Sequence, residues 1–142
     1  MLKQTWGERA REEIGSIKPS WAARYGWDPQ VREEEDRIDL HIRFRRTHPG
    51  GDRQDRHVLR LRYQEDFETA GRREAFVNPA NPAEEGPQFW PAGVTGFRPQ
   101  DNPPVICIEG TWGFHSVLHR ERDGRAANLN RLLLAIQRCL NP

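Results

Sequence analysis

From Pro103 to Trp112 the chain runs Pro103, Pro104, Val105, Ile106, Cys107, Ile108, Glu109, Gly110, Thr111 and Trp112, and its thiol is the group here suited to covalent chemistry. A thiolate is both a nucleophile and a metal ligand. A cysteine between two isoleucines has two readings: a small buried apolar residue, or a nucleophile held on a stiff support beside a polar loop. His115 and His119 follow as the nearest titratable side chains, either proton carriers near neutral pH or members of a polar surface loop. Zinc bound by Cys107, His115 and His119 would be a third chemistry. Its usual signatures, a Cys-x-x-Cys pair or a His-Glu-x-x-His helix, are absent from this stretch, so neither metal nor other cofactor is expected.

Elements on both sides must position these residues. Pro103 and Pro104 forbid a long helix, and the β-branched run after them reads as a short buried strand or extended loop that Gly110 breaks. Upstream, Gly86 to Pro104 is rich in proline, glycine and aromatics and reads as an irregular loop anchored by Phe89, Trp90 and Phe97. Strict alternation from Ile38 to Phe44 predicts a strand with Ile38, Leu40, Ile42 and Phe44 on one face. Turn formers His48, Pro49, Gly50, Gly51 and Asp52 lead into a second strand carrying Leu59, Leu61 and Tyr63. The opposite face holds Arg43, Arg45, Arg60 and Arg62. A third strand is expected from Glu74 to Val77, closed by an irregular loop through Asn78, Pro79, Asn81 and Pro82.

Helical periodicity marks both ends of the chain. Leu2, Trp6, Ala10, Ile14, Ile17 and Trp21 predict an amphipathic N-terminal helix that Pro19 ends, followed by an aromatic connection through Tyr25 and Trp27. Glu33, Glu34, Glu35 and Asp36 read as a solvated acidic loop. Leu129, Leu132, Leu133, Ile136 and Leu140 form the stripe of a C-terminal helix with Asn128 as its N-cap. The fold class is therefore α+β, with residues 1–142 as a single domain large enough to bury its own core.

Charge and composition narrow the function. The 22 basic and 21 acidic residues leave a net charge of +1, so no global field draws a polyanion. Nucleic acid is accordingly not expected as a partner, and the arginine face reads as solvated or protein-docking. No run approaches the roughly 18 apolar residues that span a bilayer, so no membrane association is expected. Cys107 and Cys139 have no disulfide-framework spacing and the start does not resemble a signal peptide, which together point to the reducing cytoplasm.

A helix, an antiparallel meander, a proline-rich loop, Ile106-Cys107-Ile108, then Trp112 and a helix running from Leu132 to Pro142: this order resembles the ubiquitin-conjugating enzyme family. In that family a cysteine in a similar context follows the meander, and the helix after it ends in a similar leucine-rich, proline-terminated pattern. The resemblance implies a minimal, divergent UBC-like fold of the kind used in bacterial ubiquitin-like conjugation systems. It implies that Cys107 accepts a ubiquitin-like protein from an activating enzyme as a thioester and passes it to a protein target. The family's His-Pro-Asn motif is missing, the corresponding window reading Phe97, Arg98 and Pro99. Asn102 is the asparagine closest to the cysteine and the substitute donor to an oxyanion. His115 and His119 are then candidates for moving the proton, with Glu109 or Asp123 orienting an incoming amine and Trp112 packing under the cysteine loop. Arg9 and Arg11 on the N-terminal helix are candidate contacts for the activating enzyme. The alternative is a noncatalytic protein-binding module of the same fold, in which Cys107 is only core.

Overall fold

The computed structural model describes residues 4–48, 50–51, 54–120, 126 and 128–142. Leu2, Pro49, Asp52 and Asp123, which the sequence reading singles out, lie outside the described residues. Alternating apolar residues build a curled antiparallel sheet in the order β1 (Gln30–Glu33), β2 (Ile38–Thr47), β3 (Gln54–Tyr63), β4 (Arg73–Asn78) and β5 (Asn81–Glu85). Its inner face carries Ile38, Leu40, Ile42 and Phe44 from β2 and Leu59, Leu61 and Tyr63 from β3, all essentially inaccessible to water. Phe76 of β4 joins them. Burial of this apolar surface supplies the main driving force for folding.

Helices and one loop cover that face. α1 (Trp6–Gly15) is capped by Thr5, whose hydroxyl accepts the Glu8 N–H at 3.1 Å, and it buries Ala10. α4 (Leu129–Leu140) lays its whole expected stripe, Leu129, Leu132, Leu133, Ile136 and Leu140, into the core. Asn128 caps it as expected, accepting the Arg131 N–H at 3.0 Å. The Gly86–Pro104 segment is built as expected, with Trp90, Val94 and Phe97 buried and Trp90 edge-on to Phe76 at 5.1 Å.

Two expectations about elements need correction. Pro19 does not end α1, which stops at Gly15; it opens a second helix, α2 (Pro19–Tyr25), where its missing N–H would be unpaired in any case. Asn130 of α4 holds the bend between the helices, donating to Ser16 O at 2.8 Å and accepting the Lys18 N–H at 3.0 Å. The meander has five strands where three were expected. β1 and β5 are both fully exposed edges, so neither shows the alternation that marks a half-buried strand. Pro82 fits β5 because an edge strand can spare one donor. The acidic run is exposed as expected, with Glu34, Glu35 and Asp36 in the β1–β2 turn, while Glu33 is the last residue of β1. Among the described residues no helix is long and apolar enough to cross a membrane.

One buried cation ties α1 to the segment around the cysteine. Arg72 precedes β4 and is 1% exposed. Its guanidinium pairs with Glu13 of α1, donates to Tyr63 Oη at 3.2 Å and to Gly110 O at 2.9 Å. Desolvation opposes the charge, and the interactions with Tyr63 and Glu13 outweigh it, raising the Arg72 pKa above its ordinary value. Removing one partner of such a pair strands the other charge. Glu13→Ala is expected to lower the unfolding free energy by about 3 kcal/mol, as measured by urea denaturation. Unchanged stability would remove the pair from the support of the fold.

Candidate active site

Cys107 stands one residue beyond a two-stranded ladder of β6 (Phe97–Arg98) and β7 (Val105–Ile106). Its own N–H continues the pairing, donating to Gly96 O at 2.7 Å. Val105 and Ile106 are fully buried, so the β-branched run is the short buried strand of the two readings, and Cys107 at its end is half-buried. A short, buried, paired strand thus delivers the thiol to the edge of the core.

The loop after the thiol is closed by three polar side chains. Fully buried Thr111 places its hydroxyl 2.6 Å from Ile106 O and 3.0 Å from Ile108 O, which share its proton, and it accepts the Phe114 N–H at 3.1 Å. Glu74 of β4 accepts the Ile106 N–H at 2.8 Å and the Gly113 N–H at 3.1 Å, joining both flanks of the loop to the sheet. Gly113 has to be glycine: a Cβ there would stand 2.5 Å from Val105 Cβ and 2.6 Å from Glu74 Oε2. Arg72 adds its main chain, with Arg72 N–H donating to Gly110 O at 3.1 Å and Trp112 N–H to Arg72 O at 2.8 Å. Gly71 before it has φ 84°, and a Cβ there would overlap the Thr111 carbonyl.

From Gly113 to Leu118 the chain winds as a π-helical turn, ending with His119 N–H donating to Phe114 O at 2.8 Å. The wider winding changes the direction in which His119 leaves the helix. Its Nε2 lies 3.6 Å from Cys107 Sγ, and its ring lies 4.5 Å from that of Phe114, which limits its rotation. The arrangement is a thiol with an imidazole in proton-transfer reach.

The other expected site residues go elsewhere. His115 turns to the loop itself: its Nε2 accepts the Gly110 N–H at 3.0 Å, which commits that lone pair to structure. Asn102 is exposed, ahead of a cis bond to Pro103, and among the described residues no hydrogen bond fixes its amide. Glu109 is exposed. The Trp112 ring carries the Arg73 guanidinium at 4.4 Å. On α1, Arg9 pairs with Glu68 at 2.6 Å and exposed Arg11 with Glu33 at 2.5 Å. Cys139 is half-buried in α4, and burial pushes its thiol pKa up. Among the described residues no three His, Cys, Asp or Glu side chains are grouped to hold a metal ion.

Glu74, Thr111 and Arg72 were missed in the sequence. One signal was available: Arg72, just before β4, alternates with Glu74 and Phe76 on the strand, so two charged residues share the inward parity of a core phenylalanine. No protein-family model, characterised protein or solved structure matches the chain at a significant level.

Burial drives the Glu74 carboxyl from its ordinary 4.5 to about 7, against the opposing pull of the Ile106, Glu74 and Gly113 N–H groups and the Thr111 hydroxyl. Below pH 4.5 folded and unfolded chains both hold the proton; between 4.5 and 7 the folded chain alone retains it. Stability should therefore fall as pH rises through that window, by on the order of 3 kcal/mol from this group. Glu74→Gln is expected to flatten that part of the profile in denaturant titrations run from pH 4.5 to 7. A slope equal to that of the unsubstituted protein would assign the dependence to other groups.

Proposed function

We propose that this chain is a UBC-like acyl carrier that takes a ubiquitin-like protein from an activating enzyme onto Cys107 and transfers it to a protein target. The observation that carries the reading is the 3.6 Å approach of His119 Nε2 to Cys107 Sγ. Support also comes from the order of elements, an N-terminal helix, an antiparallel meander, an irregular loop, a strand-end cysteine and a C-terminal helix.

In the loading step Cys107 attacks the thioester carbonyl of the activating enzyme's adduct while His119 accepts the thiol proton. A tetrahedral oxyanion forms, the carbon–sulfur bond to the activating enzyme breaks, and the proton passes from His119 to the departing thiolate. In the discharge step an amine of the target attacks the new thioester, His119 takes its proton, and Cys107 leaves as thiolate. Asn102 sits on the loop leading to β7, where an unrestrained amide can swing to donate to the oxyanion. The activating enzyme docks on α1, its carboxylates exchanging with Glu68 and Glu33 for Arg9 and Arg11. The absence of the His-Pro-Asn motif leaves imidazole at Cys107 as the main chemical aid to discharge.

A peptide C-terminal thioester serves as the acyl donor in a direct test. Intact mass is expected to show one adduct, mapped to Cys107, abolished by Cys107→Ala and retained in Cys139→Ala. His119→Ala should slow acyl transfer about a hundredfold at pH 7, the ordinary loss for a general base. An unreactive Cys107 in the folded protein would favour the noncatalytic binding module. An adduct that persists in Cys107→Ala would sink the assignment.

A further inference from the structure

The curled sheet's outer face forms a groove of about 490 Å³, away from the core and bounded by the exposed edges β1 and β5. That volume falls in the range of small-molecule sites. Side chains of Arg37, Asp39, His41, Arg60 and Arg62 line it, with Val31, Pro82 and Ala83 as the apolar wall. Val31 is 48% exposed.

Three buried nitrogens in this groove lack a hydrogen-bond partner among the described residues: Arg37 Nε, His41 Nε2 and Arg60 Nε. Two belong to guanidinium groups, which can only donate. Buried donors left unmade are costly, and such groups are rare in folded proteins. The nearby acids do not satisfy them. Asp39 is held by Arg62 Nε and Nη2 at 2.8 and 3.1 Å, and its approach to Arg37 Nε, 3.7 Å, is too long for a hydrogen bond. Glu85 takes Arg60 through Nη2 at 2.8 Å and leaves Nε unused. These nitrogens are themselves closed off from solvent, so the groove's attraction for an anion comes from its lining as a whole, in which Arg32, Arg37, Arg60 and Arg62 outnumber the acids Glu34 and Asp39.

We infer that this groove binds a small molecule bearing a phosphate or carboxylate group, whose oxygens accept from Arg37, Arg60 and His41 while its remainder lies against Val31 and Pro82. The site is independent of the thiol chemistry. His41 and Arg60 face each other across β2 and β3, so both reach one anionic group. His41 also reports occupancy. Burial lowers its pKa, and Arg60, Arg32 and Arg62 lower it further against the opposing charge of Asp39. An added anion stabilises the imidazolium, so binding should raise that pKa by about one unit and tighten about tenfold for each such unit as pH falls.

Inorganic phosphate and citrate, titrated separately into the full chain at low ionic strength, test this and distinguish the two sources of oxygen. Calorimetry follows affinity, and NMR of the histidine ring signals locates the site without any substitution. Saturable binding of at least one probe is expected, with a rise in the His41 pKa, and Arg60→Gln should weaken that binding about tenfold or more. Binding of phosphate alone would identify a phosphate ligand, and of citrate alone a carboxylate. No saturable binding of either probe, or binding that leaves the His41 titration and the Arg60→Gln affinity unchanged, would overturn the proposal.

Discussion

The Arg72 guanidinium is the group on which the other parts depend. It lies among α1, β3 and the loop after the cysteine, and its partners Glu13, Tyr63 and Gly110 come one from each. A charge taken out of water at this depth is tolerated only where its donors are met. The register between the N-terminal helix and the cysteine loop therefore cannot slip without exposing an unpaired cation to the core. Because Arg72 also bonds the loop through its main chain, the loop continues the edge of β4.

That attachment has a consequence for chemistry. Thr111, Glu74 and Arg72 hold the chain on both sides of Cys107, leaving the thiol at the end of a buried strand and the imidazole just past a separate, π-wound segment. A nucleophile and base held by different elements keep their separation only if both elements are locked to one frame. The sheet is that frame, through Glu74. The raised proton affinity of this carboxyl is the electrostatic cost of placing an acceptor of backbone donors in the interior.

The outer face of the same sheet follows a different rule. Of the arginines on that face, Arg62 pairs with Asp39 and Arg60 with Glu85. Curling turns the face into a groove whose lining includes Arg37, His41, Arg60 and Arg62.

Much of the fold was legible because it rests on periodicity. The alternation from Ile38 to Phe44, the stripe from Leu129 to Leu140 and the Asn128 cap are local patterns, and local geometry enforces them. Edge strands β1 and β5 were not legible, since an exposed edge needs no alternation and Pro82 argues against a strand until it is known to be an edge. At the site, the sequence by itself determined a cysteine ending a β-branched run with two histidines downstream. Only the tertiary structure decided between them, turning His119 to the sulfur and His115 to the Gly110 amide, because a π-wound segment sets side-chain directions that residue spacing does not encode. Arg72 and Glu74 were decided in the same way: buried charges become intelligible when donors and acceptors distant in the chain converge on them, and that convergence exists only after folding.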